Sequence, residues 1–398
     1  MLNRRDFVKQ ATLISLAPTV PMFLAQTARG AAPSPDDRIL VVLQLDGGND
    51  GLNTVIPYAD ANYARLRPKL AVDKKRVRRL DDAVGLNPVM RDAAELFHDG
   101  RLAIVQGVGY PNPNKSHDVS KSIWETARFD PTEHTSYGWI GRALDDGPAR
   151  KTSGPGSVLV GTESVPVALR GRKSVAAALA NLDDMVLGNS SKSAALAKPD
   201  DSLLGFVQRS TLDAVVTAER LQQAAKSRPD ALAPPYNELA KRLTLIARLI
   251  ESDFGARVYY AVQTGYDTHV YQRDTHERLL RELSEALRFF LDELKRSKLD
   301  DRVVVMTFSE FGRRADENAS EGTDHGTAAP MILAGPKVKA GVHGAAPSLS
   351  KLRGVDLVAT VDFRQVYQSL IEQWLRLPSP PAVGGRFPSL DLFGRPGG

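Results

Sequence analysis

Apolar positions along the chain gather in short unbroken runs, each closed by glycine and polar residues. "ILVVLQLDGGND" (39–50) is the first, and "LAIVQGVGYPNPNKS" (102–116), "SVLVG" (157–161), "RVYYAVQTGYDTH" (257–269), "DRVVVMTFSEFGRR" (301–314) and "APMILAGP" (329–336) repeat the pattern. Runs of this length, rich in β-branched residues and stopped by turn formers, predict buried strands. Between them the period changes to that of a helix in "NPVMRDAAELFHDG" (87–100), "DVSKSIWETARF" (118–129) and "HERLLRELSEALRFFLDELKRS" (276–297). Strands alternating with helices of this length predict an α/β fold, with a mostly parallel central sheet covered by helices on both faces. Ligands of such sheets bind beyond the carboxyl ends of the strands.

Residues 171–250 break this rhythm, being rich in Ala, Ser and Lys and poor in strand signals, and they read as a helical insertion. The ending "PSPPAVGGRFPSLDLFGRPGG" (378–398) reads as an extended surface tail, with Leu390, Leu392 and Phe393 able to dock on the body. At the other end, Arg4-Arg5, Phe7 and Lys9 precede a mildly apolar stretch interrupted by Pro18 and Pro21 and then the small residues "ARGAA". That combination resembles a twin-arginine export signal over 1–32, cleaved after Gly30 or Ala32 and too short for a membrane span. The expected partner is therefore the twin-arginine machinery, and the expected location is periplasmic or secreted. The remainder, 33–398, is expected to be a single domain without a membrane span.

Charge and composition narrow the chemistry. Arg4, Arg5, Lys9 and Arg29 against Asp6 give the leader +3 of the formal +5, so the basic balance of the whole chain is no argument for nucleic acid. With 0 cysteines, an oxidising compartment brings no disulfide, and a metal must be held by His, Asp, Glu or Asn.

Those residue types collect at predicted strand ends. Asp46, Asn49 and Asp50 follow the first run, and Ser116, His117 and Asp118 the second. Asp267 and His269 lie in "GYDTH", Glu310 in "FSEFG", and Asp324-His325 just before the last run. Hard oxygen ligands with imidazoles, drawn from several strand ends around an open position, are what a hydrolytic divalent metal needs. One residue alone is weak evidence, because Asp or Asn beside Gly is ordinary turn chemistry. Ser116 has two readings, a nucleophile at a helix start and a plain helix N-cap. His117 is a ligand, a general acid or a capping residue, while His276 reads as surface or packing. Arg313 and Arg314 are either a clamp for an anionic ester or a solvated pair.

In chain order, a strand-end aspartate, a hydroxyl at a helix start, an Asp/His pair, a strand-end acid and a His-Gly before "PMILAGP" together resemble the alkaline phosphatase superfamily. "LQLDGGNDGLNTVIP", "SHDVSKSIWETA", "GYDTH" and "FSEFGRR…GTDHGTAAPMILAG" resemble, more closely, the bacterial family called domain of unknown function 1501. The resemblance implies an alkaline phosphatase-like fold and a periplasmic metal-dependent hydrolase of phosphate, less so sulfate, esters on a small or polymeric substrate. It implies one or two divalent ions (zinc, or calcium, magnesium or manganese) on Asp46, Asp267, His269, Glu310, Asp324 and His325. Ser116 and His117 are then catalytic, and Asn49 and Arg313 hold substrate. Glu310-Phe311 departs from that superfamily's Asp-His, which leaves Asp324 as a substitute ligand or a carboxylate orienting one from behind. No Cys/Ser-x-Pro-x-Arg signature follows 102–108, which argues against the usual sulfatase route. "DGGNDG" lacks the spacing of a dinucleotide fingerprint. The alternative reading is a non-catalytic protein of this fold that binds an anionic polymer or a secretion partner.

Overall fold

The computed structural model describes residues 38–130, 132, 137–147, 155–180 and 233–394. The proposed leader therefore lies outside the described residues, as does most of the segment read as a helical insertion. The strands are β1 (Ile39–Asp46), β2 (Val55–Ile56), β3 (Arg78–Arg79), β4 (Gly85–Leu86), β5 (Leu102–Gly109), β6 (Ser157–Val160), β7 (Ala176–Leu179), β8 (Val258–Thr264), β9 (Val303–Phe308), β10 (Ala329–Ala334), β11 (Gly341–His343) and β12 (Val361–Asp362). Nine of them form one sheet in the order β11-β5-β10-β9-β1-β8-β6-β7, with β12 also on β5, while β2, β3 and β4 make a small separate ribbon. Every pairing of the large sheet is parallel except the two made by β10.

All six apolar runs are strands, and the mostly parallel sheet is the one expected. The orientation of β10 matters most for the site. Because it runs against its neighbours, its amino end lies at the carboxyl ends of β1, β5, β8 and β9, and the loop before it arrives where theirs leave.

Alternate residues of β1 serve two cores. Val41, Leu43 and Leu45 face one apolar cluster, and Leu40 and Val42 face the other. A strand buried on both faces reads as a continuous apolar run. The first cluster is closed by α3 (Arg91–His98), α6 (Glu238–Glu251) and α7 (Gln272–Arg296). Leu280, Leu283, Leu287, Phe290 and Leu294 of α7 are fully buried, and each such side chain is worth about 1.5–3 kcal/mol. The second cluster is closed by α4 (His117–Thr126), α5 (Trp139–Asp145) and α8 (Phe363–Ser369). Trp124 stacks on Phe363 at 4.5 Å and Trp139 on Tyr367 at 4.2 Å, which makes both tryptophans core anchors. Two short helices precede these: α1 (Gly51–Thr54) leads from β1 into β2 of the ribbon, and α2 (Ala61–Leu66) lies between β2 and β3.

One segment differs from its expectation. Residues 176–179 lie in the stretch read as helical, yet they form strand β7, parallel to β6 at the sheet edge. Alanine favours helix, but hydrogen bonds to Ser157–Val160 override a propensity of a few tenths of a kcal/mol per residue. At the C-terminus Leu392 is fully buried and Phe393 nearly so, and Phe393 stacks on Trp374, so the tail docks as expected; it is not wholly an extended surface segment, because Pro380–Val383 form a short helix that buries Ala382 and Val383.

Candidate metal centre

Close backbone approach builds the floor of the site. Gly47 has φ +119° and Gly48 φ +87°, both in the left-handed region. A Cβ at Gly47 would stand 2.4 Å from the Asp267 backbone nitrogen, and one at Gly48 2.4 Å from the Phe311 ring. Glycine here lets the loops after β1, β8 and β9 pack against one another.

Three histidines reach this floor, each with its Nδ1 on an acceptor. His117, at the start of α4, places Nδ1 2.9 Å from Glu310 Oε1. His269, after β8, places Nδ1 3.3 Å from Asp324 Oδ1. His325, before β10, places Nδ1 2.9 Å from the Lys115 carbonyl oxygen. A carbonyl only accepts, and an ionised carboxylate does the same, so in each neutral ring Nδ1 carries the proton and Nε2 presents a lone pair.

The three Nε2 atoms converge on one carboxylate. His269 Nε2 and His325 Nε2 are each 3.0 Å from Asp267 Oδ1 and 3.0 Å from one another. His117 Nε2 lies 3.5 Å from Asp267 Oδ2, and His117, Asp267 and His325 offer ligand atoms all within 4.8 Å of one another. Lone pairs facing a carboxylate and each other repel unless a cation or proton intervenes. Ligand atoms each about 2.0–2.2 Å from one small divalent ion stand roughly 3.0–3.5 Å apart, a range met by His269, His325 and Asp267 among themselves and by His117 toward Asp267. Phe311, 1% exposed, packs its ring 4.3 Å from His325 and 4.9 Å from His117, giving both imidazoles an apolar wall.

A fixed cation already touches Asp267. Arg313 is 1% exposed, and its guanidinium donates to the carbonyls of Gly47, Gly48, Tyr266 and Thr323 and, at 2.7 Å, to Asp267 Oδ1. Partial burial alone would raise the Asp267 pKa, but hydrogen bonds from a protonated His325 and from Arg313, with the charges of Arg313 and of a protonated His269, bring it down to about 2. The carboxylate is therefore ionised at neutral pH.

Several expected roles change. Arg313 spends its donors on backbone and Asp267, with Nη1 also 3.4 Å from His269 Nε2, so it is a buried brace and not an arm for substrate. Asn49, 2% exposed, has its Oδ1 bonded by Thr54 and His276, and is likewise withdrawn from substrate. Glu310 is fully buried and holds the Gly47 amide at 3.0 Å as well as His117, so it orients the His117 ring from behind. Asp46 accepts from Gln44 and Lys121, whereas Asp324 orients His269 and is itself tied to Arg314 at 3.0 Å. Ser116 sits at the N-cap of α4, is exposed, and makes no side-chain capping bond. His117, weighed as a ligand, a general acid or a capping residue, has its Nε2 among the nitrogens that face Asp267.

Sequence reading missed Lys121 as the partner of Asp46. The signal existed, because His117 and Lys121 are four apart and share one face of α4. It also missed the buried pair behind the centre, Arg67 with Asp50, both fully buried. Desolvation pushes the Asp50 carboxyl up, but the charges of Arg67 and His276 and the bonds from Arg67 and Gln272 hold it below the usual range. Arg67 also donates to the carbonyls of Arg314 and Ala315, bracing the segment that carries Arg313. A cleft of about 270 Å³ opens nearby between Pro111, Asn112, Asp356 and Val358, but none of His117, Asp267, His269 or His325 lines it. Lys115 pairs with Asp356 at 2.6 Å on that side.

Fold and site together define a mostly parallel α/β protein with a cluster of three imidazoles and a carboxylate at its strand ends. The chain belongs to the family described as protein of unknown function (DUF1501), which it matches over residues 37–374. No curated protein matches it. Similar solved structures include Ps i-CgsB in complex with k-i-k-neocarrahexaose, at 10% identity and TM-score 0.42, covering 87% of this chain and 74% of that one. A protein in the alkaline phosphatase superfamily from Vibrio parahaemolyticus is similar at 10% identity and TM-score 0.39, covering 94% and 78%. The lipoteichoic acid synthase LtaP from Listeria monocytogenes is similar at 9% identity and TM-score 0.35, covering 78% and 70%. Likeness at this level says nothing of substrate. Among the described residues no helix is long and apolar enough to cross a membrane.

Proposed function

We propose that this chain is a metal-dependent hydrolase of phosphate esters, with sulfate esters the lesser alternative, acting in the periplasm or outside the cell after twin-arginine export. The observation that carries the reading is the set of three Nδ1-anchored imidazoles whose Nε2 atoms face Asp267. His117, His269, His325 and Asp267 would hold one divalent ion. Bound there, it would supply Lewis acidity to a phosphoryl oxygen and to the leaving oxygen. Among the described residues a second ion has no evident donors, since Asp46 is paired with Lys121, Glu310 is spent on His117 and Gly47, and Arg313 already sits on Asp267.

The chain's own groups supply the rest. Ser116, exposed at the N-terminus of the ten-residue helix α4, stands where backbone N–H groups and the helix dipole favour an anion. Lys115 keeps His325 in register through its carbonyl. Ser116 Oγ or water is the attacking group. The phosphate preference rests on the missing sulfatase signature and the absence of cysteine.

Turnover of phosphomonoesters, phosphodiesters and sulfate esters by the wild type and Ser116→Ala tests the reading. The expected result is phosphate-ester turnover that falls about 100-fold or more in the variant if Ser116 attacks, and persists if water does. Absence of turnover on every ester with each of zinc, calcium, magnesium and manganese would leave the alternative, a non-catalytic binder of anionic polymer or of a secretion partner. Phe311 and the buried Arg313 beside the ligands are the features that favour it.

A further inference from the structure

Two residues beyond His269 the backbone does something unusual. Tyr271 has φ +46°, in the left-handed region. Ala127, Asp253 and Lys298 share that region, but each lies at a helix C-terminus, where it is ordinary. Tyr271 instead begins a helix, α7, and a bulky side chain in this conformation is strained.

The strain is held in place by the loop before β10. The Tyr271 N–H donates to the Ser320 carbonyl and the Gln272 N–H to the Glu321 carbonyl, both at 2.9 Å. Asn318 Nδ2 donates to the His269 carbonyl at 3.0 Å. Glu321 is itself left-handed, at φ +56°. Gly322 packs so closely that a Cβ would stand 2.1 Å from the His269 carbonyl oxygen. This bracing presents two apolar side chains to solvent, Val270 at 57% exposure and Tyr271 at 74%, immediately after a residue of the metal centre. Holding His269 alone needs neither an aromatic ring nor its exposure, and glycine would meet the backbone demand without strain.

We infer that Val270 and Tyr271 form a rim that takes the flat apolar face of a ring, aryl or pyranose, on the alcohol side of the ester. This rests on the ester-hydrolase reading and deepens it, because it specifies what the phosphoryl group is attached to. Stacking on one exposed aromatic is worth about fivefold to tenfold in affinity.

The test is calorimetric titration of the full chain, supplied with zinc, with methylphosphonate, phenylphosphonate and a hexopyranosyl methylphosphonate. Wild type is expected to bind at least one ring probe about fivefold more tightly than methylphosphonate, and which ring gains identifies the source. Tyr271→Ala loses that preference while methylphosphonate stays within about twofold, and Tyr271→Phe keeps it. Tyr271→Gly loses it too, yet melts at a higher temperature because the left-handed strain is relieved. Equal weakening of ring and ringless probes by Tyr271→Ala overturns the inference, since the residue would then serve only to place His269. So does a wild type that binds phosphonates without ring preference. Binding of no phosphonate at all overturns the ester reading together with the inference, and is thereby distinguished from failure of the rim alone.

Discussion

His269 and His325 face each other Nε2 to Nε2 at 3.0 Å, with Asp267 Oδ1 3.0 Å from both. The two rings come from loops 56 residues apart in sequence, and the far nitrogen of each is occupied by an acceptor. Two neutral imidazoles so anchored cannot hydrogen-bond to one another through these atoms, because neither Nε2 carries a proton. The arrangement is one that a shared cation satisfies.

The carboxylates behind the rings set how well it does so. Glu310→Gln and Asp324→Asn keep the shape of the groups bonded to His117 and His269 but remove their charge. Each is expected to weaken metal binding about 10- to 100-fold, as outer partners of metal-bound histidines do. Asp267→Asn, which alters the carboxylate at the convergence point, is expected to cost more than either. Competition titration with a chromophoric chelator measures all three, and a ranking with Glu310→Gln as the worst would make Glu310 the ligand.

A pH dependence follows from His276, which is 1% exposed and bonded to Asn49 at 2.9 Å. Burial lowers its pKa from 6.5 to about 4, the pull of Asp50 failing to offset it. The unfolded imidazole takes up a proton near its ordinary value while the folded one does not. The stabilisation is therefore full above about pH 6.5, declines below it, and is gone below about pH 4, amounting to ~3 kcal/mol. Asp267, held at about 2, acts only at more acid pH. Urea midpoints at pH 7 and 4.5 should differ for the wild type and differ less for His276→Gln. Parallel losses in both proteins would assign the effect elsewhere.

Arg67 and Asp50 make the third case. Removing the guanidinium in Arg67→Met leaves a buried carboxylate without its main partner, and such changes cost about 3–5 kcal/mol. Denaturant unfolding should register a loss of that size. A loss below about 1 kcal/mol would mean that water reaches Asp50 in the variant.

Legibility in the sequence followed depth. The runs of β1 and β9 were plain because every residue from Leu40 to Leu43, and from Val303 to Phe308, is buried. β7 was not, because its alanines carry no strand signal and only pairing with β6 makes it one. The direction of β10 left no trace in its own apolar pattern, which is the same for either sense. At the site, places at strand ends already group Asp267, His269 and His325 in the sequence, and the structure brings these three side chains together. Asn49 and Arg313 were misjudged because a polar residue in a loop looks exposed until packing buries it. Glu310 was misjudged by one layer, since sequence cannot say that the His117 ring lies in front of it.

Metal content tests the central claim most directly. The full chain and His325→Ala, purified alike and dialysed against metal-free buffer, would be compared by atomic emission, with melting curves to establish that both are folded. The account predicts about one ion per wild-type chain and almost none in the variant. A folded wild type without metal, a variant that retains it, or two ions per chain would contradict it.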